Sequence, residues 1–301
     1  MRHQGRSLVA RAGSRSERTC HIALPRPRHR DFAPFRAARE ASWRNGVKES
    51  IAVLGVRISP VNIGQVQEIV DGHVSQGHRT YLCVAAVHSI MACRRDPSLR
   101  QIFNRSAATT PDGMPLVWLC RLAGFRHVER VYGPDLMLAL CGHGVERGYR
   151  HFFFGGGPEV PEALAGKLVD RLPGLQVVGT ISPPFGEIAE SVEASLVERI
   201  NAANPDIVWV GLGTGTQEHW MARNRPRLQA PVLIAVGAAF DFLSGRKPQA
   251  PRWMQRSGLE WLFRLGSEPK RLWPRYREYP IFVILLAAQL AGLRKDRLDR
   301  G

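Results

Sequence analysis

The sequence predicts an α/β protein: a Rossmann-like, doubly wound, mostly parallel sheet followed by a helical C-terminal appendage. Three observations carry this. Short apolar runs alternate with amphipathic stretches between residues 47 and 243. Two of those runs end in glycines just before a helix-like segment, as strands do where an open α/β sheet meets its ligand. From Ser244 onward the texture changes to Arg, Trp and Pro at helical spacing, with no strand.

Taken in order, residues 51–58 (IAVLGVRI) read as one strand, and Asn62 as the cap of a helix running to Gln76. Residues 80–87 (TYLCVAAV) are a buried strand, and a single helix is expected over about 88–103. A short apolar run around Ala107 and Ala108 leads into the turn Pro111-Asp112-Gly113, and residues 114–123 form a buried helix. The alternation continues with helices at about 134–147, 161–172, 189–203 and 217–224, and strands at 151–154, 175–181, 206–212 and 231–236. Three divisions follow: a basic arm at 1–46 expected to be disordered, a core at 47–243, and an appendage at 244–301. No internal repeat is present.

A chain of 301 residues with 44% apolar content can bury a full core. The net charge of +16 resembles a nucleic-acid signal until it is located. Residues 1–45 hold 11 Arg against 3 acids, and residues 244–301 hold 13 Lys and Arg against 5. The middle of the chain carries 18 of each sign and is neutral, so the basic excess belongs to the two ends. Basic ends of this kind can meet RNA, anionic lipid or a pyrophosphate, and charge alone leaves the three open. Without base-reading or base-stacking signals in the core, no nucleic-acid partner is expected.

The five cysteines form no CxxC pair, and Cys83, Cys120 and Cys141 lie in apolar runs, which points to buried thiols in a reducing cytosol. Residues 1–46 are rich in Arg and lack an apolar segment, so they are not a secretory signal; an organellar-type leader, a misplaced start or a disordered arm remain open readings. The longest apolar run, residues 281–293, has 13 residues where a spanning helix needs about 20. It can lie on a membrane but not cross one.

Asp112 stands at a strand-to-helix turn in an apolar setting, as a helix cap or as a general base whose pKa burial tunes upward. Arg130 lies 18 residues on. It is a surface partner of Glu129 or Asp135, or a fork that neutralises a leaving pyrophosphate. The run FFFGGGP at residues 152–158 and VWVGLGTGTQE at residues 208–218 bring Gly155, Gly156, Gly211 and Gly213 to strand ends. These serve tight turns or the close approach of a nucleotide, with Gln217 and Glu218 opening the next helix. His88 follows a strand as a core or substrate-side histidine. Arg264, Arg271 and Arg275 recur at spacings of 7 and 4, near one helical face if the helix continues. With Trp253, Trp261, Phe263 and Trp273 between them, they form a solvated basic face or a bilayer-interface segment. No acidic DxD triad and no GKS/T phosphate loop occur, so phosphate charge falls to arginine and backbone, without metal or cofactor.

The blocks TPDGMPLVW, ERVYGPDL, FFFGGGP, the Gln217-Glu218 pair after VGLG, and GLEWLFRLGSEPKRL resemble the bacterial WecG/TagA/CpsF glycosyltransferases, glycosyltransferase family 26, in the family's order over about residues 50–277. The resemblance implies metal-independent, inverting transfer from a UDP-sugar to a polyprenyl-pyrophosphate-linked saccharide during synthesis of a wall, surface or exopolysaccharide. It implies Asp112 as catalytic base, Arg130 as a donor-site arginine and Gln217 as a sugar-nucleotide contact, with Asp135 in the same block as Arg130. It further implies an appendage that docks on the inner face of the cell membrane and brings Arg264 and Arg271 over the site, with Arg275 placed by position. The exposed apolar tail also permits self-association.

Two departures bear on the donor. Where many members carry TxN at the end of the second strand, this chain has Val84, Ala85 and Ala86, with His88 or Ser89 as substitutes. Where they carry Pro-Lys before the Gln-Glu pair, it has Gly215 and Thr216. A member that has lost turnover and acts as a nucleotide-sugar or membrane-binding scaffold is therefore the alternative to an active enzyme.

Overall fold

The computed structural model describes residues 49–293 apart from 185, 187 and 188. The basic arm expected over 1–46, Cys20 within it, and residues 294–301 of the appendage lie outside the described residues.

The first element corrects the sequence reading. Residues 51–58 form β1 (Ile51–Val53) and β2 (Val56–Ile58), paired antiparallel with Ile51 opposite Ile58. Leu54 and Gly55 both take left-handed backbone, at φ 49° and 84°, and two consecutive positive φ values are what a two-residue hairpin turn requires. Next, α1 (Ile63–Gln76) starts as expected at Asn62. Its side chain accepts the Gln65 N–H at 3.0 Å, and the Gln65 side chain accepts the Asn62 N–H at 3.1 Å.

After β3 (Thr80–Ala85), the single helix expected over 88–103 is two, α2 (Val87–Arg95) and α3 (Pro97–Arg105). The break is local chemistry. Pro97 disfavours helical backbone at Asp96, and the Asp96 carboxylate caps the new helix through the N–H groups of Ser98 and Leu99 at 2.9 and 3.1 Å.

The remaining core follows the expected alternation: β4 (Ala108–Pro111), α4 (Met114–Leu122), α5 (Gly133–Arg147), β5 (Arg150–Gly155) and α6 (Val160–Arg171). Then come β6 (Gln176–Ile181), α7 (Glu190–Ala202), β7 (Ile207–Gly211), α8 (Thr216–Asn224), β8 (Val232–Ala235) and α9 (Ala239–Leu243).

Six strands form one sheet in the order β4-β3-β8-β7-β5-β6, every neighbouring pair parallel. Alternation along β7 makes the two faces. Val208 and Val210 join a core with Ile90, Leu116, Leu196 and Trp220, whereas Ile207 and Trp209 join another with Val66, Leu136, Leu164 and Phe240. Helices therefore cover both faces, and the fold is doubly wound as predicted. Because the strands are parallel, their carboxyl ends share one edge, where open α/β sheets bind ligands. Among the described residues Cys83, Cys93, Cys120 and Cys141 are free and buried.

Two glycines at that edge are required by packing. A Cβ on Gly155 would lie 2.6 Å from the Gly211 backbone, and one on Gly211 would lie 2.5 Å from the Phe240 ring. Gly211→Ala is expected to cost about 1–3 kcal/mol of stability through overpacking, visible as a lower urea midpoint at unchanged slope. An unshifted midpoint would show that Phe240 moves aside freely.

Beyond residue 244 four helices follow: α10 (Arg252–Arg256), α11 (Glu260–Ser267), α12 (Pro269–Tyr276) and α13 (Tyr279–Leu290). One side of α13 packs on the core through Phe282. Its Gln289 side chain accepts the Leu54 N–H at 2.9 Å and donates to the Ala52 carbonyl at 2.8 Å, which ties it to the hairpin. Ile281, Val283 and Ile284 face outward. No described helix is long and apolar enough to cross a membrane.

Candidate active site

Asp112 leaves the end of β4 on a turn held by its neighbour. The Asp112 N–H donates to the Ala85 carbonyl at 2.8 Å, and a Cβ on Gly113 would touch Ala86 at 3.4 Å. Ala86 thus lies beside the Asp112 turn. Helix α4 is capped at Gly113 with no side-chain bond, so Asp112 is free of the capping role that its position suggests.

Its carboxylate meets Arg130 instead. Arg130 Nη2 and Nε donate to Asp112 Oδ1 at 3.0 and 3.2 Å, and Nε also donates to the Asp112 carbonyl. Nη2 reaches Glu260 Oε2 at 2.5 Å, and Nη1 the Gln255 carbonyl at 3.3 Å. The guanidinium lies 4.2 Å from the centre of the Tyr132 ring. Glu129 and Asp135, the surface partners suggested by sequence, do not hold it.

The three charged side chains expose only 23% (Asp112), 16% (Arg130) and 12% (Glu260) of their area, so their interactions are little screened. Burial pushes the Asp112 pKa up to about 6; Arg130 opposes this and the Glu260 charge adds to it. Burial by itself would lower the Arg130 pKa, but the two carboxylates outweigh it and raise it. Burial, then Glu260 and Asp112, raise Tyr132, which stays a neutral phenol.

On the other side of the β3 end, His88 Nε2 and Thr214 Oγ1 lie 3.1 Å apart, linking α2 to the loop after β7. Burial, then Arg275 and Arg264, hold the His88 pKa well below the usual histidine range, so the ring is neutral at pH 7. In that loop Gly213 and Gly215 take φ values of 87° and 93°, with nothing within 4 Å of where a Cβ would stand. The space beside both is open, unlike that beside Gly155 and Gly211, although the Gly215 N–H is taken by Glu218. Gly156, at φ 75°, turns the β5 end and donates its N–H to the Gly211 carbonyl at 2.9 Å.

Glu218 is buried as the cap of α8. It accepts the Gly215 N–H at 2.6 Å and the Gln217 side-chain amide at 2.8 Å; burial raises its pKa while those bonds oppose. Gln217 is 3% exposed and leaves its Oε1 without a hydrogen bond among the described residues, near Gly237. Asp135 is occupied by both terminal nitrogens of Arg252, at 2.8 and 3.0 Å, which fastens α10 to α5.

The appendage arginines divide. The expected single helical face is broken, because the backbone turns at Glu268 between α11 and α12, ahead of Pro269. Arg271 pairs with Glu268 at the surface. Arg264 lies 5.4 Å from the Phe242 ring centre, while burial and the Arg264 charge lower the pKa of Arg275. No carboxylate pairs with Arg264 or Arg275 among the described residues.

Sequence reasoning missed Glu260, Gln255, Arg252 and Tyr132. Glu260 had a usable signal, being one of two acids between residues 244 and 277 in an otherwise basic tract.

The sequence profile of the family described as Glycosyl transferase WecG/TagA/CpsF family matches residues 51–296. Among similar proteins is the N-acetylglucosaminyldiphosphoundecaprenol N-acetyl-beta-D-mannosaminyltransferase of Bacillus subtilis (strain 168). It is 29% identical over 193 residues, 64% of this chain and 73% of the relative. The protein of the same name from Bacillus spizizenii (strain ATCC 23059 / NRRL B-14472 / W23) is 26% identical over 218 residues, 72% of this chain and 82% of the relative. A match running from the β1–β2 hairpin to the end of the described helices places the chain in the glycosyl transferase WecG/TagA/CpsF family, and it is a glycosyltransferase.

Proposed function

We propose that this chain moves a sugar of the N-acetylmannosamine, uronic acid or hexose type from a UDP-sugar to a polyprenyl-pyrophosphate-linked saccharide, in the synthesis of a bacterial cell-surface polysaccharide. The observation that carries this reading is Asp112, a carboxylate at the carboxyl edge of a parallel sheet whose pKa is pushed up to about 6. No described residue hydrogen-bonds its Oδ2, so that oxygen is available to an acceptor hydroxyl.

In the proposed step the acceptor oxygen attacks the anomeric carbon as Asp112 takes its proton. The bond from that carbon to the β-phosphate oxygen breaks, its electron pair leaves with UDP, and the configuration inverts. Arg264 and Arg275, unpaired with carboxylates, supply positive charge to the departing diphosphate without a metal ion, while the Arg130 charge is taken up by Asp112 and Glu260. Gln217 and the open space beside Gly213 and Gly215, which lets a nucleotide approach the loop closely, are the proposed donor contacts.

Outward Ile281, Val283, Ile284, Leu262, Trp253 and Trp273, in a segment with a basic excess, suit reversible attachment to the inner face of the cell membrane, where the acceptor resides. A second reading, a scaffold that binds nucleotide-sugar without turning it over, is favoured by one observation: an apolar residue, Ala86, stands beside the Asp112 turn, at a position where the resemblance implies a polar side chain.

The test is transfer of label from UDP-hexoses, UDP-N-acetylhexosamines and UDP-uronic acids to polyprenyl-pyrophosphate-saccharide in membranes. Label entering lipid names the donor class. UDP binding with no transfer from any donor moves the assignment to the scaffold.

A further inference from the structure

We propose that Glu260 is a positioning residue of this active site: carried in by α11, it shares one Arg130 nitrogen with Asp112, and so completes the base only when the C-terminal helices are seated. The inference rests on the reading of Asp112 as the base.

Arg130 Nη2 lies 3.0 Å from Asp112 Oδ1 and 2.5 Å from Glu260 Oε2, so one nitrogen serves two carboxylates. The rest of the guanidinium is fixed as well. Nε is held by Asp112, Nη1 by the Gln255 carbonyl, and one face by Tyr132. Gln255 is itself buried, with its amide donating to the Ala250 carbonyl at 2.7 Å. Two of the groups that fix Arg130 therefore come from beyond residue 244, more than a hundred positions away in sequence.

The electrostatic consequence follows from charge count. Asp112 and Arg130 alone would form a neutral pair, in which the cation makes the carboxylate a weak base. A second carboxylate on the same cation leaves the triad with one net negative charge and restores basicity to Asp112. The charged and titratable groups facing Asp112 are Arg130 and Tyr132 from the segment before α5, Glu260 and Arg264 from α11, and Tyr279 from α13. Of these, Arg130 and Arg264 hold the Asp112 pKa down and Glu260 lifts it.

The test compares Glu260→Gln, Glu260→Asp and Glu260→Ser with the unaltered full chain, reading kcat and donor KM against pH on lipid acceptor in membranes. Glu260→Gln is expected to lower kcat about tenfold with donor KM within about twofold, and to move the acid limb of the kcat profile to lower pH. Glu260→Asp, which keeps the charge, should leave that limb in place. Glu260→Ser should move it like Gln, and provides the reading should the Gln variant melt below assay temperature. An acid limb unmoved by both neutral variants, with losses that track thermal stability, would reduce Glu260 to an anchor for α11 and overturn the proposal. Asp112→Asn separates the two layers. Turnover surviving that change removes the base reading and this proposal together, whereas a dead Asp112→Asn beside an unmoved limb removes only this one.

Discussion

Asp112→Asn is expected to lower sugar transfer by roughly 10²–10⁴-fold, the contribution typical of a general base, while leaving the melting temperature unchanged or raised. The two halves of this expectation have one cause. Folding places the Asp112 carboxylate where its pKa is about 6 against an ordinary value of 3.8, so the charged form is disfavoured in the native state. A group with a raised carboxyl pKa binds more protons folded than unfolded, and its contribution to stability falls as pH rises from about 4 to about 6 and stays low above that. The amide cannot ionise and escapes this penalty, and it still accepts a hydrogen bond from Arg130. Melting curves of both proteins across that pH window should therefore diverge, with the variant gaining relative to the original as pH rises. In the active enzyme the same titration appears as a kcat/KM that falls below about pH 6. Undiminished turnover by the amide would place the base elsewhere.

Arg130→Ala is expected to have the largest effect on stability. It leaves Asp112 and Glu260 facing one shielded site without their shared cation, and removing one partner of such a buried cluster costs roughly 3–5 kcal/mol. Two carboxylates so placed relieve the repulsion by taking a proton, so the loss in melting temperature should be smaller at pH 5 than at pH 8. Transfer should be lost with it. Lysine cannot reproduce the fork that spans Asp112, Glu260 and the Gln255 carbonyl, so Arg130→Lys should recover part of the stability and little of the rate. Adding Glu260→Ala to Arg130→Ala should restore stability by removing the like charge. A melting temperature that drops equally at both pH values would show that the two carboxylates are solvated rather than coupled.

Much of the fold was legible because its causes are local. Apolar runs between amphipathic stretches are the pattern of a covered parallel sheet, and five of the six strands of the large sheet lie where that pattern puts them; β4, with Thr109 and Thr110, is marked only by the short run at Ala107 and Ala108. Asn62 announced a helix start. The break between α2 and α3 lay in the Asp96-Pro97 step, which ends one helix and caps the next, and the single-helix reading passed over it. The hairpin at Leu54 and Gly55 was harder, because leucine rarely takes a positive φ and only pairing forces it there.

The candidate site divides along the same line. Asp112 and Arg130 stood out because a carboxylate and an arginine at apolar strand and loop ends are costly unless used. Which glycines have free space beside them was invisible, since Gly155 and Gly211 are held by the backbone and by Phe240, while Gly213 and Gly215 stand in open space. The partners of Arg130 were invisible too.

Local sequence set the parallel sheet, its glycine-rich carboxyl edge and the presence of a carboxylate and an arginine there, because helix caps, strand periodicity and turn chemistry act over a few residues. Chain closure set the rest: Glu260, 130 positions from Arg130, shares that cation with Asp112, and the charges of Arg264 and Arg275 act on His88 while Arg271 pairs with Glu268. Charge interactions in a shielded site depend on distances of a few ångströms, and chain closure, not local sequence, sets those distances.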